Sequence, residues 1–133
     1  MHKITDTEQN LLAIYFRPED WKQGLDFLTD DDKYLQVGTW YYQKGKKLDR
    51  HHHNTVERKS DITQECVVVM EGSMVVGLYD KTKKFVTSFT MFEGDFAVFF
   101  AGGHEYEILE NDTRVLETKN GPFVGVDLDK TRF

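Results

Sequence analysis

Apolar and aromatic residues along this chain come in short runs, rich in Val, Phe, Tyr and Thr and separated by Gly, Asp, Asn or Lys clusters. Runs of that kind are strand signals, because β-branched and aromatic side chains fit a pleated, half-buried surface. The pattern predicts strands near Leu11 to Phe16, Tyr34 to Gln43, Glu65 to Glu71, Met74 to Asp80, Phe85 to Phe92, Phe96 to Ala101, Glu105 to Glu110, Arg114 to Lys119 and Phe123 to Val126. Strands at near-regular spacing, with no long helical patterns between them, predict an all-β antiparallel sandwich or barrel rather than a parallel α/β sheet. One short N-terminal helix is predicted over Pro18 to Leu28. Pro suits a first turn, Glu19 and Asp20 suit the positive end of the helix dipole, and Trp21, Leu25 and Leu28 recur at helical spacing, while Gly24 works against it. Asp30, Asp31 and Asp32 read as a solvated turn, since they lack the Gly and the distal Glu of a calcium-binding EF-hand loop.

The length of 133 residues matches one domain, and no linker or internal repeat divides it. With 39% hydrophobic and 30% charged residues the chain has the composition of a globular protein. A formal charge of -6 disfavours a nucleic-acid partner, because phosphate-backbone affinity rests on clustered Lys and Arg. The single cysteine, Cys66, lies in the apolar run Cys66 to Met70, so it is expected as a buried thiol in a reducing compartment. No apolar stretch approaches the roughly 20 residues of a membrane helix, and Met1 to Lys3 is not followed by a signal-peptide core. A cytoplasmic protein without a membrane partner is the expectation.

Histidine usage is what draws attention to chemistry. Four of the five histidines fall at His51 to His53 and at His104, and His2 lies at an N-terminus expected to be mobile. In an extended segment side chains alternate, so His51 and His53 share a face and His52 points away. Glu65 opens an apolar strand, and His104 follows the tight turn Ala101 to Gly103. Three imidazoles and one carboxylate suit a divalent transition metal (Fe, Mn, Ni, Co or Zn) better than Mg or Ca, which prefer oxygen shells. A triple histidine also occurs as a solvated surface run, and spacing alone leaves both readings open.

On these residues the chain resembles the cupin superfamily. Gly45 is followed by five residues and then His51-His52-His53, and Glu65 is followed by six residues and then Gly72, as in the first cupin motif. In the second motif Gly94, Asp95, Gly102 and His104 correspond, but Phe100 replaces Pro, His104 arrives one residue early, and Ile108 holds the place of Asn. Eleven residues, Asn54 to Gln64, separate His53 from Glu65, where the motif has three or four. Glu57 would satisfy the shorter spacer, but Arg58 to Asp61 cannot start a core strand, so Glu65 is preferred and Asn54 to Asp61 is read as a loop at the barrel mouth. The resemblance implies an antiparallel cupin β-barrel, or jelly roll, with a mononuclear metal held by His51, His53, Glu65 and His104.

Other residues bear on a ligand. In an extended Tyr34 to Gln43, Trp40 and Tyr42 share a face and can stack on a sugar or base. Glu117 and Lys119 alternate with Thr118, so a carboxylate and an ammonium can share a face with His104. The segments Lys119 to Gly125 and Asp129 to Phe133 resemble the tail of small cupins associated with nucleotide-sugar and polysaccharide genes. The expected activity is that of a metal-dependent isomerase or epimerase on a small polar molecule such as a sugar or sugar nucleotide. An Fe(II)-dependent dioxygenase and a non-catalytic metal- or ligand-binding module are the alternatives. Pairing of exposed strands makes a homodimer the expected assembly.

Overall fold

Ten strands form three antiparallel sheets in the structure, a computed structural model that describes every residue from Met1 to Phe133. In chain order they are β1 (His2–Thr5), β2 (Leu11–Phe16), β3 (Gly24–Phe27), β4 (Gly38–Tyr41), β5 (Glu65–Glu71), β6 (Ser73–Tyr79), β7 (Phe85–Phe92), β8 (Phe96–Phe99), β9 (Gly103–Ile108) and β10 (Arg114–Lys119). A single turn of helix, α1 (Val126–Asp129), follows. The largest sheet has the order β1-β2-β8-β5-β10, a second has the order β7-β6-β9, and β3 pairs with β4 alone.

Within the five-stranded sheet, β2, β8 and the first part of β5 are covered on both faces, which explains their unbroken apolar runs. On one face Ala13, Tyr15, Val67, Val69, Ala97 and Phe99 meet Met74, Val76, Leu78 and Met91 of the β7-β6-β9 sheet. On the other, Ile14, Phe16, Cys66, Phe96 and Val98 gather with Phe100 and are flanked by Leu28, Leu35 and Val37. Alternation along β2, β5 and β8 thus sends successive side chains into two separate apolar clusters. Cys66 is a buried free thiol, as its apolar neighbours suggest.

The all-β antiparallel class matches the reading of the sequence, and five features differ from it. No closed barrel forms, because no backbone ladder joins the five-stranded and three-stranded sheets. The helix expected from Pro18 to Leu28 is reduced to a 3-10 turn at Pro18–Asp20; Gly24 is a poor helix residue, and Gly24 to Phe27 instead form a ladder with β4. The strand expected from Tyr34 to Gln43 shrinks to Gly38–Tyr41, since Leu35 and Val37 turn onto the apolar face of the large sheet. Phe123 to Val126 pair with no strand and lead into α1, while His2 is anchored in β1 opposite Tyr15. The three aspartates form a turn, with the Lys33 N–H donating to the Asp30 carbonyl at 3.0 Å. No helix is long and apolar enough to cross a membrane.

Candidate functional site

Register decides which polar side chains meet. Glu65 is in phase with Val67 and Val69, so it faces the space between the two large sheets. On β9, His104 lies opposite Leu78 and Tyr106 opposite Val76, both core residues, which turns the imidazole and the phenol inward. On β10, Lys119 pairs with Glu65 and Glu117 with Val67, which places both on that same face. The turn before β9 depends on Gly102, whose φ of 76° is in the left-handed region and whose hydrogen lies against the Tyr79 carbonyl. A side chain there would collide with that carbonyl and displace His104.

The result is a compact polar cluster at the end of the sandwich. Glu65, 3% exposed, receives His104 Nε2 on Oε1 at 2.7 Å and the Tyr106 hydroxyl on the same oxygen at 3.0 Å. Lys119 Nζ lies 3.5 Å from Glu65 Oε2 and 2.6 Å from Glu117 Oε1. Phe99 packs against the imidazole, with ring centres 4.8 Å apart. Burial alone pushes the Glu65 carboxyl up, but the hydrogen bond and charge of His104, with Tyr106 and Lys119, outweigh it and hold the group down at about 2. Tyr106 is raised well above the usual tyrosine range, by burial first and then by the Glu65 charge, so it remains a protonated donor. The Lys119 ammonium is also raised, chiefly through its contact with Glu117.

Above this cluster opens a cavity of about 790 Å³, with Glu65, His104, Tyr106 and Phe99 at its floor. That volume lies in the range of small-molecule sites. Its outer wall comes from the turn after β6 and from the segment Asp129 to Phe133.

Of the residues singled out from the sequence, Glu65, His104, Glu117 and Lys119 come together in one chain of contacts. His51 and His53 do not join them. They lie in the exposed part of the coil between β4 and β5, their ring centres 5.4 Å apart, with His51 Nδ1 3.1 Å from the Asp49 carbonyl. His52 is exposed beside them, so strand alternation does not sort the three. Glu57 is exposed and pairs with Lys59 at 3.7 Å, whereas Glu65 is the buried carboxylate. Trp40 is exposed on β4, and Tyr42 beyond it lies under the Lys46 ammonium at 5.6 Å; neither lines the cavity.

As a metal site this arrangement does not fit. No three His, Cys, Asp or Glu side chains converge on one point, and both Glu65 oxygens face donors of the protein, one of them an ammonium. Tyr106 is the residue that sequence reasoning missed. Its signal was present, because it stands two positions after His104 and strand alternation puts both on one face.

The architecture defines an all-β protein of stacked antiparallel sheets in which a buried glutamate meets a half-buried histidine in the lining of an open cavity. No known protein family matches the chain, and no curated protein or solved structure is significantly similar to it.

Proposed function

We propose that this chain takes a small polar molecule into the cavity above Glu65 and His104 and moves a proton on it, as an isomerase or epimerase of the cupin kind would. The observation that carries the reading is the 2.7 Å contact between His104 Nε2 and a carboxylate that is almost fully buried. A buried carboxylate that grips one ring nitrogen fixes the orientation of the imidazole and leaves the other nitrogen for a substrate. Lys119 and Tyr106 keep Glu65 charged and in place, so His104 is the group assigned to proton transfer. The test is incubation of the protein with aldoses, ketoses and their derivatives in D2O, followed by NMR. Deuterium entering a carbon position, at a rate reduced about a hundredfold in His104→Gln, supports the assignment. Exchange that is unchanged in that variant overturns it.

A second reading keeps the divalent metal, and it rests on the adjacent rings of His51 and His53. It requires the exposed coil to close over the cavity and Lys119 to leave Glu65. Metal analysis of untagged protein, reconstituted anaerobically with Fe, Mn, Ni, Co or Zn, decides it against a His51→Ala, His53→Ala variant. Less than about a tenth of an equivalent in the parent protein sinks this reading, since a formed His-rich site holds Ni or Zn tightly. Oxygen consumption with bound iron would point to a dioxygenase, and ligand binding without turnover to a binding module. The homodimer belongs to the same proposal: β10 is an edge strand whose six residues are all exposed, and sedimentation analysis of Leu116→Lys would dissociate a dimer built on it.

A further inference from the structure

The mouth of the cavity has a charge pattern unlike its floor. Lys81 and Lys83 reach it from the turn between β6 and β7, and Lys130 and Arg132 from the segment after α1. None of these four cations forms an ion pair with a carboxylate. This is notable in a chain with 23 acidic and 17 basic residues, where acidic partners are plentiful.

The acidic residues of the same cavity each accept from at least one protein donor, while the second oxygen of Asp129, Oδ2, is buried without a partner. Asp80 Oδ1 accepts from the Thr82 N–H and hydroxyl, both at 2.7 Å, and from the Lys84 N–H at 3.0 Å, which shapes the β6–β7 turn. Glu105 accepts from the Tyr79 hydroxyl at 2.5 Å, and Asp129 accepts from the Thr63 hydroxyl. Glu65 is held by His104, Tyr106 and Lys119.

Two contacts also dock the cation-bearing segments onto one another. The Phe133 ring stands edge-on to Tyr79 at 5.3 Å, and the Lys83 ammonium sits 5.2 Å from the Phe133 ring centre. The four cations therefore line one cavity because the turn and the C-terminal segment pack together.

We propose that Lys81, Lys83, Lys130 and Arg132 form an anion-binding rim that takes the phosphate of a phosphorylated small polar molecule, whose uncharged part reaches Glu65 and His104. The proposal rests on the reading of this cavity as the ligand site. None of the four has a carboxylate within ion-pair distance, and a phosphate dianion can pair with more of them at once than a single carboxylate can. Arg supplies a planar fork suited to phosphate oxygens and Lys supplies mobile point charges.

The experiment is an amide NMR titration of the full chain with a hexose, the same hexose phosphate, inorganic phosphate and acetate. It is repeated on Lys81→Ala, Lys83→Ala and on Lys130→Ala, Arg132→Ala, whose retained spectra report folding. The hexose phosphate is expected to shift the amides of Lys81 to Lys84 and Lys130 to Arg132, and to bind about tenfold more weakly to each double variant. Equal affinity for the two hexoses, equal affinity for acetate and phosphate, or affinity unchanged in both variants overturns the rim. Failure of the catalytic reading looks different. Phosphate binding at the rim without carbon-bound proton exchange on any hexose leaves the rim standing and removes the catalysis. Exchange on the unphosphorylated hexose, with phosphate adding nothing, does the reverse.

Discussion

At Glu65, burial and ion pairing pull one carboxyl group in opposite directions. Its ordinary value of 4.5 falls to about 2 in the folded chain, so the folded state favours the charged form. The stabilisation is fully present above about pH 4.5 and is lost as pH falls through about 2. Urea unfolding of Glu65→Gln should therefore show a loss of about 3 kcal/mol at neutral pH. That difference should shrink steadily between about pH 4.5 and 2, and a pH-independent difference would show that the charge is not what holds the cluster. Cys66 makes the opposite case: burial without a partner raises its thiol to about 11. A thiol reagent at neutral pH should label it slowly in the folded protein and at once in denaturant, with mass spectrometry as the readout. Both residues were legible in the sequence, Glu65 as the polar residue that opens an apolar strand and Cys66 as part of that strand. What the sequence concealed was the nature of the contact: His104 was expected beside Glu65 as a fellow metal ligand, whereas His104 and Lys119 bind the carboxylate directly.

Among the elements, the hairpin from β5 to β6 shows why a motif position is restrictive. Gly72 joins the two strands with a φ of 77°, and a Cβ there would run into Thr113. Its six-residue distance from Glu65 is the span of the rest of β5, so one spacing encodes both the carboxylate at the start of the strand and the turn at its end. Gly72→Ala should cost about 2 kcal/mol and lower the melting temperature, measured by calorimetry, while leaving the order of the sheets unchanged. Seven of the expected strands, from Leu11 to Phe16 and from Glu65 onward to Lys119, recur in the structure with shifts at their ends. The elements that departed from expectation are those whose local pattern was overruled by available partners. Gly24 to Phe27 found β4, Leu35 and Val37 found an apolar sheet face, and Phe123 to Val126 found no strand edge.

Across the whole molecule the contrast is between the doubly covered strands β2, β8 and β5 and the coil that links β4 to β5. Every residue from Arg50 to Asp61 is exposed, so limited trypsin digestion should cut first at Arg50, Arg58 and Lys59 and spare the strands. If Ni or Zn is gathered by His51 and His53, the same digestion in its presence should slow at Arg50, and an unchanged pattern would count against that role. Hydrophobic alternation and turn residues by themselves determined the all-β class, the main strands and the prominence of Glu65 and His104, because strand formation and side-chain facing depend on near neighbours. Tertiary structure alone decided that the sheets stay open, that Lys119 and Tyr106 close on Glu65, and that His51 and His53 stand apart in the coil. It also decided that four cations share one cavity mouth. Those outcomes follow from which strand edges and chain ends meet in space, and a linear pattern carries no term for encounters between residues so far apart.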